Sequence, residues 1–296
     1  MKIGMRPTSY IKAYGDKGFY KMAEHGFECI DYQKFIATST DFFKLEMTAF
    51  EKALLKERRE IEREGLFVHQ AHAPFGFPIK DGTVEERAER FEEMRKAVYG
   101  TAVLGAKTLV MHPLSPFTLE CPDPAEETAK INADFITRLA EYARGFGITV
   151  CVENLPFPFY SLTHCEAVNN FVRTLAIDNV RVCLDIGHTH YLSYVKTQLG
   201  VGGDEYAPCS AEKAVRLFGD MLHTCHIHQN YGDTDAHAPL DEGNIDIEAF
   251  SSALFDIGYK GAYSLEVTIN FDKYPESEWD EMGRRLSDMA HKYARS

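Results

Sequence analysis

Short apolar runs alternate with longer amphipathic stretches along the chain. The runs Ile3–Met5, Glu28–Asp31, Leu66–Ala71, Thr108–Met111, Ile148–Val152, Arg181–Leu184, Thr224–Ile227 and Tyr263–Val267 are mostly rich in Val, Ile, Leu and Cys, as expected of strands covered on both faces. Between them apolar residues recur at helical spacing, as in Phe43, Met47, Phe50 and Leu54, in Val84, Ala88, Phe91, Met94 and Val98, and in Ile131, Phe135, Leu139 and Tyr142. A last stripe, Trp279, Met282, Leu286, Met289 and Tyr293, faces a charged side. Glycines such as Gly105 and Gly147 stand where a helix must stop before the next strand. Eight strands, each followed by a helix, predict an α/β fold of the (β/α)8 barrel type, as a single domain spanning 1–296. The least regular stretch, His188 to Pro208, carries Gly200, Gly202 and Gly203 and reads as a mobile lid or as an ordinary surface insertion.

Composition narrows the partners. A length of 296 residues suits such a barrel, and 45% hydrophobic residues suffice for one large core. The net charge of −13 is spread along the chain, which disfavours nucleic acid and anionic membrane as partners. Seven cysteines lack CxxC spacing, and Cys151, Cys183 and Cys225 sit inside apolar runs as small core residues of a reduced compartment. No apolar stretch reaches the roughly 18–20 residues of a membrane span. The start, MKIGMRPTSY, lacks the long apolar core of a signal peptide. A soluble cytoplasmic protein is expected, with a homo-oligomer left open.

Nine metal-ligating side chains stand at the carboxyl ends of the predicted strands or on the loops just beyond: His72, His112, Glu153, Asp185, His188, His226, Asp235, His237 and Glu266. In a parallel barrel those ends share one mouth. Glu153, Asp185, His226 and Glu266 end strands five to eight, and three carboxylates with one imidazole would repel or be costly to desolvate without a cation. An oxygen-rich set with one nitrogen suits a divalent ion, Mn²⁺ or Zn²⁺, with Co²⁺ or Mg²⁺ also compatible. His72 and His112 beside Glu153, and His188, Asp235 and His237 beyond strands six and seven, suggest second and third ions, for one to three in all. His72 and His112 could instead bind a sugar hydroxyl. His69 and His228 are expected to face the helices as core histidines.

These segments resemble the xylose isomerase-like TIM barrels, the superfamily that joins sugar isomerases and epimerases to endonuclease IV (AP endonuclease family 2). HIHQNYGDTDAHAPLDEGNID is similar to the family's histidine, short polar run and D-x-H, while ENLPFPF and CLDIGHTH resemble its strand-five and strand-six segments. The resemblance covers essentially the whole chain. It implies a single ion on Glu153, Asp185, His226 and Glu266 if the chain works as a ketose epimerase, and a trinuclear zinc centre on all nine positions if it works as endonuclease IV. MRPTSY lacks the Ser-His pattern of that nuclease, and ENLPFPFY replaces its small glycine-containing stretch. Gln229 stands where an acid is usual and Asp241 where glycine is usual.

Charge at the mouth favours a sugar or polyol over DNA. The loops HPLSPFTLECPDP, ENLPFPFYSLTHCE and HQNYGDTDAHAPLDEGN contain no Lys or Arg, and Arg6, Lys12, Lys34, Lys80, Lys196 and Lys273 are the few basic residues elsewhere near the mouth. Aromatic residues at the mouth, including Tyr10, Phe75, Phe77, Phe157 and Tyr231, could cover the C–H faces of a sugar. The expected reaction is isomerisation or epimerisation by proton transfer next to a carbonyl, through an enediolate. Glu153 and Glu266 would move the proton, with His190, Phe157 and Tyr10 at the substrate. Loss of a β-hydroxyl would turn the same chemistry into a dehydration. The competing reading is an endonuclease IV-like phosphodiesterase acting on abasic DNA. A metal-binding barrel without catalysis ranks behind both, since no ligand is missing.

Overall fold

The computed structural model describes residues 1–76, 79–118, 123–199 (backbone alone beyond 192) and 209–295. Eight strands form one parallel sheet: β1 (Ile3–Met5), β2 (Cys29–Tyr32), β3 (Phe67–His72), β4 (Thr108–Met111), β5 (Thr149–Glu153), β6 (Val180–Asp185), β7 (Leu222–His226) and β8 (Tyr263–Leu265). Their order is β7-β6-β5-β4-β3-β2-β1-β8. β7 meets β8 through a parallel bridge between Ile227 and Leu265, where the Ile227 N–H donates to Ser264 O (2.9 Å) and the Glu266 N–H to Ile227 O (3.0 Å). The result is a (β/α)8 TIM barrel.

Every expected run holds a strand, but the ends differ in an informative way. β3, β5 and β6 run one residue past the apolar pattern to include His72, Glu153 and Asp185. The ladder needs only backbone groups, so it continues under a polar side chain that the apolar pattern excludes.

Helices flank the strands, among them Met47–Arg63, Val84–Val103, Ala125–Arg144, Cys165–Leu175, Ile247–Asp256 and Glu276–Tyr293. Their apolar stripes pack on the outward strand faces, where Met111, Val152, Leu184 and Cys225 join one large core. The alternate residues Val110, Cys151 and Cys183 form a separate small cluster. Two residues further on from each stand His112, Glu153 and Asp185, on the same strand face. Gly105 (φ 81°) and Gly147 (φ 66°) turn the chain from helix to strand in the left-handed region.

The stretch expected to be irregular after β6 is instead helical from Ile186 to Leu199. Asp185 caps this helix, its Oδ1 accepting the His188 N–H at 2.7 Å, so it serves both the helix and the mouth. Gly200, Gly202 and Gly203, on which the expectation of a lid rests, lie outside the described residues. Among the described residues no helix is long and apolar enough to cross a membrane.

Candidate metal centre

All nine predicted ligands converge at the mouth, in three adjoining groups. In the central group His226 presents Nδ1 to three carboxylates: Glu153 Oε1 at 2.9 Å, Glu266 Oε2 at 3.3 Å and Asp185 Oδ2 at 4.0 Å. On one flank Glu153 turns Oε2 to His72 Nε2 (3.2 Å) and His112 Nε2 (3.3 Å). On the other, Asp235 Oδ2 lies 3.3 Å from both His188 Nε2 and His237 Nε2. Glu153 links the first flank to the centre, and Asp185 reaches the second.

Hydrogen bonds fix how these rings point. Nδ1–H of His72 donates to Ala73 O (2.9 Å), that of His188 to Asn154 O (2.8 Å) and that of His237 to Glu266 O (2.8 Å). A carbonyl can only accept, so in the neutral ring Nε2 carries the lone pair. Three such lone pairs are then aimed at carboxylate oxygens. Without a proton or a cation between them, these contacts would be repulsive. His237 adopts φ 47°, a strained conformation for a non-glycine residue, to reach this position.

The electrostatics point the same way. Burial alone would raise the Glu153 carboxyl, yet His226, His112 and His72 together hold it well below the usual carboxylate range. Burial opposes charge on His226 and His188 too, but surrounding acidic groups, Glu266, Glu153 and Asp31 around His226 and Asp185 and Asp235 around His188, raise both well above the ordinary histidine value. The cluster therefore wants positive charge. Among the described residues, Arg6 is the lone Lys or Arg within ion-pair distance of these carboxylates, 3.6 Å from Glu266 Oε1. The donor set (carboxylates, imidazole lone pairs, and a buried Asp235 Oδ1 without a hydrogen-bond partner) fits divalent cations.

A family model described as "Xylose isomerase-like TIM barrel" matches residues 19–288. The chain belongs to that family. It is 24% identical over 270 residues to the uncharacterized protein MJ1311 of Methanocaldococcus jannaschii, covering 90% of this chain and 83% of that one. To an inosose isomerase of Bacillus subtilis it is 26% identical over 171 residues, 55% of each chain. Among solved structures, a D-psicose 3-epimerase in the presence of D-fructose superposes with a TM-score of 0.74 at 18% identity, covering 100% of both chains. The IOLI protein with a zinc atom bound gives 0.72 at 18%, over 99% of this chain and 98% of that one. At such identities the superpositions speak for the fold.

Within this barrel the predicted substrate contacts divide. Phe157 lines a small cavity with His112 and Phe75, and Phe75 stacks on the His112 ring at 4.1 Å. His190 bonds Asn244 Oδ1 at 2.6 Å, on the loop beyond β7. Tyr10 is not at the mouth: it is fully buried, its hydroxyl bonded to His25 Nδ1 (2.8 Å), among Tyr14, Phe27 and Phe271. It lies in the helix Thr8–Tyr14, and the apolar stripe of that short helix turns it into the core. Phe77 and the Lys196 side chain lie outside the described residues. Arg6, Lys12 and Lys34 are all held by acids, namely Glu266, Asp272 and Glu57.

Three residues of the site were not foreseen. His228 was expected to face the helices but is buried in the mouth, with Nε2 3.1 Å from Asp185 Oδ1. Residues two apart on a strand share a face, so its spacing from His226 already carried that signal. Asp31 Oδ2 stands 3.1 Å from His226 Nε2, behind the ring, and accepts from Gln70. Gln33 donates to Glu266 Oε1 at 2.6 Å. His69, by contrast, sits toward the amino end of the barrel, where its Nε2 meets the Ala262 N–H and Thr224 Oγ1.

Proposed function

We propose that this protein is a metal-dependent isomerase or epimerase of a sugar or polyol ketone. The observation that carries the reading is the convergence of Glu153, from β5, and Glu266, just past β8, on one nitrogen of His226. Glu153, Asp185, His226 and Glu266 would hold the central ion, Mn²⁺ or Zn²⁺ by the donor set. When bound, it supplies Lewis-acid polarisation of a carbonyl and offsets the negative charge that develops there.

The residues then divide the work. Glu266 takes the proton from the carbon next to the carbonyl. The C–H electron pair moves into the new C–C double bond, and the carbonyl pair moves to oxygen, leaving an enediolate. Its Oε1 faces Gln33 and Arg6, whereas both oxygens of Glu153 face histidines. For epimerisation a protonated His72 or His112 passes its proton to Glu153 Oε2, and Glu153 delivers it to the opposite face of the same carbon while Glu266 keeps the one it removed, to be released to solvent. For isomerisation Glu266 returns its own proton to the neighbouring carbon, and the hydroxyl proton of the first carbon moves to the former carbonyl oxygen. Phe157 and His190 bound the substrate, and the epimerases and inosose isomerases among its relatives support this class.

Incubation of the manganese- or zinc-loaded protein with a panel of ketoses and inososes in D₂O should incorporate deuterium next to the carbonyl. No exchange across the panel would sink the proposal. One observation favours a second reading, a phosphodiesterase: the three ligand groups adjoin in a chain. Cleavage of an abasic-site duplex without sugar exchange would establish it instead.

A further inference from the structure

We infer that the outer group is a closed cation site with four protein ligands, in which His228 is the fourth beside His188, Asp235 and His237. This rests on the reading that the mouth holds metal, not on the sugar chemistry. The four residues offer ligand atoms that all lie within 4.8 Å of one another. Bonds of about 2.0–2.1 Å in a tetrahedron would space ligand atoms roughly 3.3–3.4 Å apart. His188 Nε2 and His237 Nε2 each stand 3.3 Å from Asp235 Oδ2, at that spacing, while His228 Nε2 lies 3.8 Å from the second oxygen of the same carboxylate, Oδ1.

Two independent features point to an occupant. Asp235 Oδ1 is buried and has no hydrogen-bond partner, an expensive state for a carboxylate oxygen unless a cation meets it. The fold also makes room for the fourth ring. His228 lies flat on His237, with centroids 4.0 Å apart and planes at 17°. A Cβ at Gly187 would overlap the His228 imidazole, so the glycine of LDIGH lets the ring enter. Nδ1–H bonds orient His188 and His237, and His228, whose Nδ1 has no hydrogen-bond partner, adds a third imidazole that closes the shell. Catalytic ions keep an open position, and closed sites hold structural ones. The outer ion then stabilises the loop after β7 and leaves no vacancy there for a phosphate oxygen, which weighs against phosphodiester hydrolysis.

The test uses the full chain loaded with cobalt(II), read by metal content and visible absorption. The wild type should retain one ion per chain through dialysis against EDTA, with the intense bands of four-coordinate cobalt. His228→Leu and the milder His228→Asn should lose that ion and those bands, as should Gly187→Ala, while Glu266→Gln should keep both. Circular dichroism identifies any variant that fails to fold. Retention of the ion and its spectrum in folded His228→Asn and Gly187→Ala overturns the assignment. A wild type that binds only a weakly absorbing, EDTA-labile ion also overturns it, while leaving the central site standing. A chain that binds no cobalt removes both.

Discussion

At the scale of single residues, the ligands are only as good as the groups that aim them. His226 uses Nδ1 toward the carboxylates, and Asp31 stands behind Nε2 at 3.1 Å. The two atoms make no hydrogen bond, so the carboxylate acts on the ring through its charge, raising the basicity of the imidazole. Asp31→Asn should therefore weaken binding of the central ion about 10- to 100-fold, measured by competition with a chromophoric chelator, with the fold unchanged by circular dichroism. Gln33 holds one oxygen of the proposed base. Gln33→Leu should lower kcat of the exchange reaction roughly 10- to 100-fold with little change in KM or metal content, since misplacing a reacting group costs rate more than binding. Equal losses in KM and metal content would make Gln33 part of the scaffold. Neither residue was legible beforehand: an aspartate or glutamine at the end of a short strand looks like ordinary loop polarity until the barrel closes around it.

At the scale of elements, the helices are fixed largely by local signals. Thr83 and Glu86 form a complete capping box before Val84–Val103, with Thr83 Oγ1 accepting from the Glu86 N–H and the Glu86 carboxylate accepting from the Thr83 N–H. Thr83→Ala should destabilise the protein by about 1 kcal/mol, seen as a lower urea midpoint with an unchanged m-value, and should leave the metal content alone. The helix after β6 was missed for a related reason. Its cap is Asp185, a residue read as a ligand, and one side chain does both jobs. The alternation that places Cys151 under Glu153 and Cys183 under Asp185 was visible in the strands. Its continuation from His226 to His228 obeys the same period beyond the end of the ladder.

At the scale of the whole molecule, the two ends of the barrel carry different electrostatics. The mouth gathers acids around histidines, whereas His69, toward the other end, is pushed down to about 4, chiefly by burial and also by nearby His223. A histidine whose folded pKa is depressed stays neutral in the native state while the unfolded chain binds a proton. Its stabilising contribution is complete above about 6.5 and is lost as the pH falls from 6.5 toward 4, on the order of 3 kcal/mol. Denaturation midpoints of wild type should therefore drop over that window, and His69→Gln should flatten the slope. A slope unchanged by the substitution would place the effect on other groups. At the mouth, Arg6, Lys12 and Lys34 are each paired with an acid.

Periodicity and strand-end chemistry, both local properties of the chain, determined the barrel and the convergence of the nine candidate ligands, because a parallel barrel sends every strand's carboxyl end to one mouth. Only the closed tertiary structure decided the grouping of those ligands, the burial of Tyr10 away from them, and the entry of Asp31, Gln33 and His228. Asp31 and Gln33, in and just past β2, reach His226 of β7 and Glu266 beyond β8, strands distant in sequence that face one another only when the sheet curls shut. Which ring nitrogen faces a carboxylate depends on what stands behind the ring, and no local pattern records that.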